Sequence, residues 1–126
     1  MEQGQRHFIV VDDDKDVRYL VRRVIMQSFP EARVTEAGDG LEALRLFENQ
    51  GADLMIVDHN LPSLDGAGLI RELRAREVKI PLVLMSNFTA IGDLAMAAGA
   101  TSFVDKGEIH PCLGDYLPTL FEQKSQ

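Results

Sequence analysis

Short apolar runs alternate with segments of helical periodicity along the chain, and this alternation restricts its fold more than any other feature. The runs have the length and polar boundaries of buried strands; they cover residues 8–11, 54–57, 82–85 and 102–104, with a weaker, more polar strand at Arg33–Ala37. Between them, apolar residues recur at helical spacing. Five strand–helix units in succession predict one α/β domain with a doubly wound parallel sheet, helices on both faces and right-handed crossovers.

Residues with strong positional preferences predict where several helices begin and end. Asp14 is placed to cap the amino terminus of the first helix. Thr89 is placed to cap the fourth helix, which Gly99 would close. The last helix has two predicted forms: either Asp115 caps it and Pro118 falls in its first turn, or a longer helix is kinked at Pro118.

Composition limits the class of protein. The 126 residues suit a single domain spanning 1–126, with a core from about 6 to 122. The net charge is −7 and no cluster of Lys or Arg is present, so direct binding to nucleic acid is not expected. No stretch resembles a signal segment or a membrane span, and the one cysteine, Cys112, is expected to be a buried thiol. These features predict a cytoplasmic protein.

Chemically suggestive residues stand at the ends of four predicted strands. They are Asp12 and Asp13 after the first strand, Asp58 after the third, Ser86 after the fourth and Lys106 after the fifth. The carboxyl ends of parallel strands lie at one edge of the sheet, where open α/β sheets bind their ligands. Three carboxylates gathered there repel each other and stay ionised only beside cations. Lys106 supplies one positive charge, and Mg²⁺, which prefers oxygen ligands, is the natural second.

Such a cluster suits phosphoryl chemistry. Two carboxylates and a backbone carbonyl suffice to hold Mg²⁺, which leaves one carboxylate as a nucleophile toward a phosphoryl group. The Ser86 hydroxyl and the Lys106 ammonium would then contact the phosphoryl oxygens. Each residue alone has a simpler explanation: Asp58 as a turn residue, Lys106 as a loop lysine and Phe103 as part of the core. The coincidence at four strand ends favours a functional site.

The chain resembles the receiver domain of two-component response regulators, the chemotaxis-regulator fold. The acidic pair after the first strand and the loop after Asp58 are the most specific parts of the resemblance. The matching motifs are Val-Val-Asp12-Asp13-Asp14, Val-Asp58-His-Asn60-Leu-Pro62-Ser-Leu-Asp65-Gly66, Met-Ser86 and Gly99-Ala-Thr-Ser-Phe103-Val-Asp-Lys106. The resemblance implies a flavodoxin-like sheet with strand order 2-1-3-4-5.

The resemblance implies a role for each residue at the sheet edge. Asp58 is implied to be the phospho-acceptor, which takes phosphate from the phosphohistidine of a histidine kinase or a phosphotransfer protein. Asp13, Asp58 and the backbone carbonyl of Asn60 are implied to ligate Mg²⁺ (or Mn²⁺) directly, and Asp12 through water. The implied activity is phosphorylation and slow dephosphorylation of Asp58 itself rather than turnover of a soluble substrate.

The resemblance also implies a switch and a surface that the switch controls. Ser86 and the rotamer of Phe103 are implied to relay the phosphorylated state to the face formed by the fourth helix, the fifth strand and the fifth helix. That face is expected to contact an output protein or a fused output domain, and a phosphorylation-dependent homodimer is a further possibility. We expect no contact with a membrane and no direct binding of nucleic acid by this domain.

Two residues depart from the family pattern. Gly107 follows Lys106 where the family usually has proline, often with a cis bond. A cis bond before a residue other than proline costs about 3 kcal/mol, so we expect either a trans bond or a loop that uses the conformational freedom of glycine. Asn87 follows Ser86 where the family usually has a small residue. We expect the longer side chain of Asn87 to narrow access to Asp58 and to slow phosphoryl exchange.

Two other functions fit parts of the pattern. A phosphatase of the haloacid dehalogenase type also places an Asp-x-Asp motif after its first strand, but Asp16 stands where that motif wants Thr or Val, and the chain lacks room for the usual cap. A receiver-fold interaction module that is never phosphorylated is compatible with Asn87 and Gly107. The acidic residues, Ser86 and Lys106 favour a phosphorylated switch over that module.

Overall fold

A five-stranded parallel sheet forms the centre of the molecule. The computed structural model describes residues 5–109 and 113–124, so Cys112 lies outside the described residues. The strands are β1 (His7–Val11), β2 (Arg33–Ala37), β3 (Leu54–Asp58), β4 (Leu82–Ser86) and β5 (Ser102–Asp105). They lie in the order β2-β1-β3-β4-β5, and each neighbouring pair is parallel. The predicted doubly wound fold with strand order 2-1-3-4-5 is therefore confirmed.

Five α-helices connect and follow the strands. They are α1 (Lys15–Ser28), α2 (Gly40–Gln50), α3 (Gly66–Ala75), α4 (Ile91–Ala98) and α5 (Gly114–Lys124), and a short 3₁₀ helix spans Lys106–Glu108. None of the helices in the described ranges combines the length and the apolar character that a bilayer crossing requires. The strand–helix alternation brings the carboxyl ends of all five strands to one edge of the sheet.

The sheet separates two apolar cores, because alternate side chains of each strand point to opposite faces. Residues of α2, α3 and α4 cover one face, and residues of α1 and α5 cover the other. Every residue of β3 and β4 is buried, which explains their unbroken apolar sequences. β2 pairs only with β1 at the sheet edge, which explains its more polar sequence.

The structure confirms two of the predicted helix ends and corrects one. The Asp14 side chain caps α1 by accepting the Asp16 N–H, and Gly99 ends α4 with a left-handed φ of 109°. The predicted cap at Thr89 is wrong, because α4 begins after Ala90 and has no side-chain cap. Backbone carbonyls replace it: those of Phe88 and Thr89 accept the first N–H groups of the helix, at 3.0 Å each.

α5 differs from the form capped by Asp115. The helix begins at Gly114, so Asp115 lies in its first turn, and Pro118 lies inside the helix. Pro118 has no N–H to donate to the carbonyl of Gly114, four residues earlier. The hydroxyl of Ser28, at the end of α1, donates to that carbonyl instead, at 3.1 Å. A side chain from one helix thus satisfies the backbone acceptor that proline leaves open in another.

This arrangement predicts a coupling between Ser28 and Pro118. Ser28→Ala should lower the free energy of unfolding by about 1 kcal/mol, because the Gly114 carbonyl loses its donor. In a Pro118→Ala background, the new alanine N–H can donate to the Gly114 carbonyl. The loss in free energy of unfolding caused by Ser28→Ala should then be less than about half as large. Urea unfolding of the four proteins measures the coupling, and equal costs in both backgrounds would contradict this account of the bond.

Candidate functional site

The backbone of the sheet positions the polar residues that follow the strands. The Asp12 N–H donates to the Ala37 carbonyl at 3.1 Å, which extends the pairing of β1 with β2 by one residue. Asp58 is the last residue of β3 and lies in register with Met85 of β4. Lys106 begins the 3₁₀ helix directly after β5. These side chains therefore start from one edge of the sheet.

The structure brings three carboxylates and one ammonium together at this edge. Asp12 is fully buried and Asp58 is 3% exposed, whereas Asp13 is exposed. One carboxylate oxygen of each aspartate lies within 4.8 Å of the others. The Lys106 Nζ lies 3.0 Å from Asp12 Oδ2 and 3.1 Å from Asp58 Oδ1. We refer to Asp12, Asp13, Asp58 and Lys106 as the acidic site.

Lys106 reaches Asp12 and Asp58 with Gly107, rather than proline, as the next residue. Within the described ranges, Gly51 and Gly99 are the glycines with positive φ, so the expectation that Gly107 uses the conformational freedom of glycine is wrong. Instead, Gly107 lies in the 3₁₀ helix, and its N–H donates to Asp105 Oδ1 at 2.9 Å. A proline at this position would lack that donor. The bond anchors the turn that carries Lys106.

Burial and charge act against each other at the acidic site. The pKa of Asp58 is raised, mainly by burial and then by the charge of Asp12, although the Lys106 ammonium opposes the shift. Burial lowers the pKa of Lys106, but the hydrogen bonds and charges of Asp12 and Asp58 outweigh it, so its pKa lies above the ordinary value. The ammonium is therefore a fixed positive charge at neutral pH.

The acidic site fits a hard cation. Asp12 Oδ2 is buried, and within the described ranges its cationic neighbour is the Lys106 ammonium 3.0 Å away, which it shares with Asp58. One ammonium cannot neutralise three carboxylates, so an excess of negative charge remains. The ligand atoms on offer are all oxygens, the type that divalent ions such as Mg²⁺ prefer. Asp12, Asp13 and Asp58 form a cluster that could hold a metal ion.

The other predicted site residues lie in the strands β4 and β5 or in the loops after β3 and β4. Ser86 is 1% exposed at the end of β4, and its Oγ accepts the Phe88 N–H at 3.0 Å. Phe103 is half-buried and packs against the core beneath α2, α3 and α4. Asn87 and Asn60 are exposed, in the loops after β4 and β3. The roles given to these four residues stay predictions.

Sequence reasoning missed an arginine that contacts the acidic site through the backbone. Arg18 of α1 donates to the Asp12 carbonyl at 2.7 Å, and its Nε donates to Glu36 of β2 at 2.8 Å. In the sequence, Arg18 looks like any polar residue on the exposed side of an amphipathic helix. The signal would have been the register of β2 on β1, which places Glu36 beside Val10, and this register cannot be read from composition.

The loop after Asp58 is held at both ends. Ser63, with a left-handed φ of 67°, donates its hydroxyl to Asp39 Oδ1 at 3.2 Å and accepts the Leu41 N–H at 3.3 Å. This contact attaches the loop to the start of α2. At the far end, the Gly66 N–H donates to the His59 carbonyl at 2.9 Å. The loop that follows Asp58 is therefore bonded both to α2 and to itself.

The pKa of Asp58 leads to a prediction about stability. In metal-free buffer at pH 7, Asp58→Asn should raise the free energy of unfolding by about 1–2 kcal/mol. The folded state binds the Asp58 proton more tightly than the unfolded chain does, so the contribution of Asp58 to stability falls as pH rises from about 4 through the raised folded pKa. The gain from Asp58→Asn should therefore grow across this window and then level off.

Denaturant unfolding with EDTA at a series of pH values measures this gain. Glu31→Gln, which neutralises an exposed carboxylate elsewhere on the surface, is the matched control and should give no such trend. A gain from Asp58→Asn that is independent of pH would contradict the raised pKa as its cause.

Comparison with known proteins agrees with this geometry. The family model of the response regulator receiver domain matches residues 8–112. The chain is similar to the cyclic di-GMP phosphodiesterase response regulator RpfG of Xanthomonas campestris, with 33% identity over 104 residues that cover 79% of this chain and 28% of RpfG. It is also similar to the response regulator MprA of a Mycobacterium species, with 34% identity over 100 residues that cover 78% of this chain and 43% of MprA.

The solved structures that resemble this one include the Francisella response regulator 1452 receiver domain. The TM-score is 0.84 over 94% of this chain and 98% of that one, at 24% identity, which is evidence for the fold alone. The chain spans less than half the length of the two curated relatives. The family model covers the strands whose ends carry Asp12, Asp58 and Lys106, and most of the chain besides. This chain therefore belongs to the response regulator receiver domain family.

Proposed function

We propose that this domain is a phosphorylation switch in two-component signalling. A phosphoryl group would pass from the phosphohistidine of a histidine kinase or phosphotransfer protein to Asp58, with Mg²⁺ bound, and would alter the face formed by α4, β5 and α5. The observation that carries the proposal is the position of Asp58. It is buried at the end of a central strand, shares a carboxylate cluster with Asp12 and Asp13, and lies 3.1 Å from the ammonium of Lys106.

Asp13 and Asp58 would hold Mg²⁺ directly with the carbonyl of Asn60, and Asp12 would hold it through water. When bound, the ion neutralises the carboxylates and the phosphoryl oxygens. An ionised oxygen of Asp58 attacks phosphorus, the phosphorus–nitrogen bond to the donor histidine breaks, and the bonding pair leaves with the imidazole. Lys106 stabilises the charge on the phosphoryl oxygens, since its ammonium already lies beside the nucleophile.

The contacts of Ser86 support its proposed part in the switch. Its Oγ accepts the Phe88 N–H, so the hydroxyl hydrogen remains available for a phosphoryl oxygen. A shift of this hydroxyl toward Asp58 would draw on the Phe88 backbone, at the start of the turn that leads into α4. Phe103 lies next to the first turn of α4, since a Cβ at Gly92 would be 3.8 Å from its ring. The route from Ser86 to α4 is therefore one of direct contacts.

Beryllofluoride with Mg²⁺, which mimics the acyl phosphate, tests the proposal. We expect it to change the amide chemical shifts of Ser86, Phe103 and α4, and we expect the change to be lost in Asp58→Asn. Glu31→Gln, with the same loss of one charge, should respond like the parent. No response in the parent chain would support the interaction module that is never phosphorylated. Turnover of p-nitrophenyl phosphate would support the phosphatase alternative.

A further inference from the structure

A small cavity opens beside β5, which is an edge strand of the sheet. Its volume is about 240 Å³, and it is lined by Phe103, Val104, Asp105, Glu108 and Tyr116. Small-molecule sites usually measure about 300–1,000 Å³. The cavity is therefore of a size for one or two side chains of a protein partner, and it lies on the face formed by α4, β5 and α5.

The lining of this cavity combines aromatic rings with negative charge. Phe103 and Tyr116 are half-buried, and Asp105 and Glu108 supply two carboxylates. No Lys or Arg is among the lining residues, and neither carboxylate forms an ion pair within the described ranges. The nearest ammonium in sequence, that of Lys106, is held by Asp12 and Asp58. The cavity thus favours a cation that can also stack on a ring.

Apolar surface continues from the cavity onto α4. Gly92 lies beside the ring of Phe103, and Met96 follows four residues later on the same side of the helix. The Met96 side chain is 53% exposed. A segment that runs from the cavity along this side of α4 would therefore meet the exposed Met96 side chain.

We propose that this cavity receives an arginine side chain from the output partner, and that the contacting segment of that partner is basic and apolar. Arginine fits better than lysine, because its planar guanidinium stacks on aromatic rings and pairs with a carboxylate through two hydrogen bonds. The inference rests on the proposed function, since it names the partner of the proposed output face. The partner segment is opposite in charge to this acidic chain, whose net charge is −7.

Titration of the full chain with N-acetyl-arginine amide, followed by amide and side-chain NMR in saturating Mg²⁺, tests the inference. Mg²⁺ keeps the acidic site from competing for the guanidinium. We expect saturable shifts at Phe103, Glu108 and Tyr116, with a dissociation constant on the order of 1 mM for so small a probe. N-acetyl-citrulline amide, which has the same shape without the charge, should bind at least about tenfold more weakly.

Two variants each lose one negative charge, one inside the cavity and one outside it. Their comparison shows whether the arginine probe binds in the cavity or is attracted by the net charge of the chain. Glu108→Gln should weaken binding of the arginine probe about fivefold, and Glu31→Gln should leave it unchanged. Equal binding of the citrulline probe, equal effects of the two variants, or shifts centred outside the cavity would overturn the inference.

Asp58→Asn distinguishes failure of this inference from failure of the proposed function. It keeps the cavity but lacks the phospho-acceptor, so it should bind the arginine probe like the parent. A normal beryllofluoride response in the parent without arginine binding would overturn the cavity inference alone. Arginine binding without any beryllofluoride response would leave the cavity as a docking site and overturn the phosphorylation switch that it was proposed to serve.

Discussion

Replacement of Arg74 by methionine is expected to lower the free energy of unfolding by about 3–5 kcal/mol. The Arg74 guanidinium donates to the carbonyls of Gly99, Val78 and Ile80 at 2.8–2.9 Å, and to Thr101 Oγ1 at 3.1 Å. These acceptors belong to the segments that enter β4 and β5. Within the described ranges Arg74 forms no ion pair with a carboxylate, so its guanidinium interacts with these neutral acceptors instead. Methionine would keep much of the apolar stem but remove the donor of the three carbonyls, whereas Thr101 Oγ1 would keep the N–H of Leu82 at 3.0 Å.

Urea unfolding of Arg74→Met beside Arg71→Met measures this contribution. Arg71 lies on the same helix with an exposed side chain, so its replacement should change stability by less than about 0.5 kcal/mol. Arg74→Lys should recover only part of the loss, because an ammonium cannot reach all four acceptors in their fixed directions. Similar stabilities for Arg74→Met and Arg71→Met would show that water replaces the guanidinium at little cost.

Gly66→Ala is expected to destabilise the domain by about 2–3 kcal/mol and to weaken Mg²⁺ binding at least about fivefold. A Cβ at Gly66 would lie 2.5 Å from the carbonyl oxygen of Asp58 and 2.8 Å from the Cα of His59. Both atoms belong to the backbone that carries the proposed phospho-acceptor, so neither can rotate away as a side chain would. The added methyl group must displace the end of β3 or the start of α3.

Gly92→Ala is the matched control, because Gly92 also lies in the first turn of a helix but has room. The nearest atom to its Cβ would be 3.8 Å away, in the ring of Phe103. We expect Gly92→Ala to stabilise the domain by about 0.5–1 kcal/mol, the usual gain of alanine over glycine in a helix. Mg²⁺ titration and urea unfolding of both variants measure the contrast. A Gly66→Ala variant as stable as the parent would mean that α3 can shift without cost.

The sheet could be predicted from the sequence because its signals are local. Four apolar runs each stop at a polar residue, and the topology of repeated strand–helix units then brings those polar residues to one edge. Asp12, Asp13, Asp58 and Lys106 were found in this way, and the structure gathers them within a few ångströms. The strand order came from the family resemblance, since hydrophobic periodicity alone does not fix it.

The predictions for Thr89 and Gly107 failed because backbone groups form the contacts at these positions. Carbonyls of Phe88 and Thr89 close the start of α4, so the Thr89 hydroxyl is not needed as a cap. Gly107 contributes through its N–H rather than through a positive φ. The contact of Arg18 with the Asp12 carbonyl depends on long-range packing between α1 and β2, which no local pattern records.

The hydrogen bonds of Ser63 to Asp39 and Leu41 join the amino-terminal turn of α2 to the segment after Asp58. A substitution at Ser63 would therefore reach two segments at once, the start of α2 and the loop that follows the proposed phospho-acceptor.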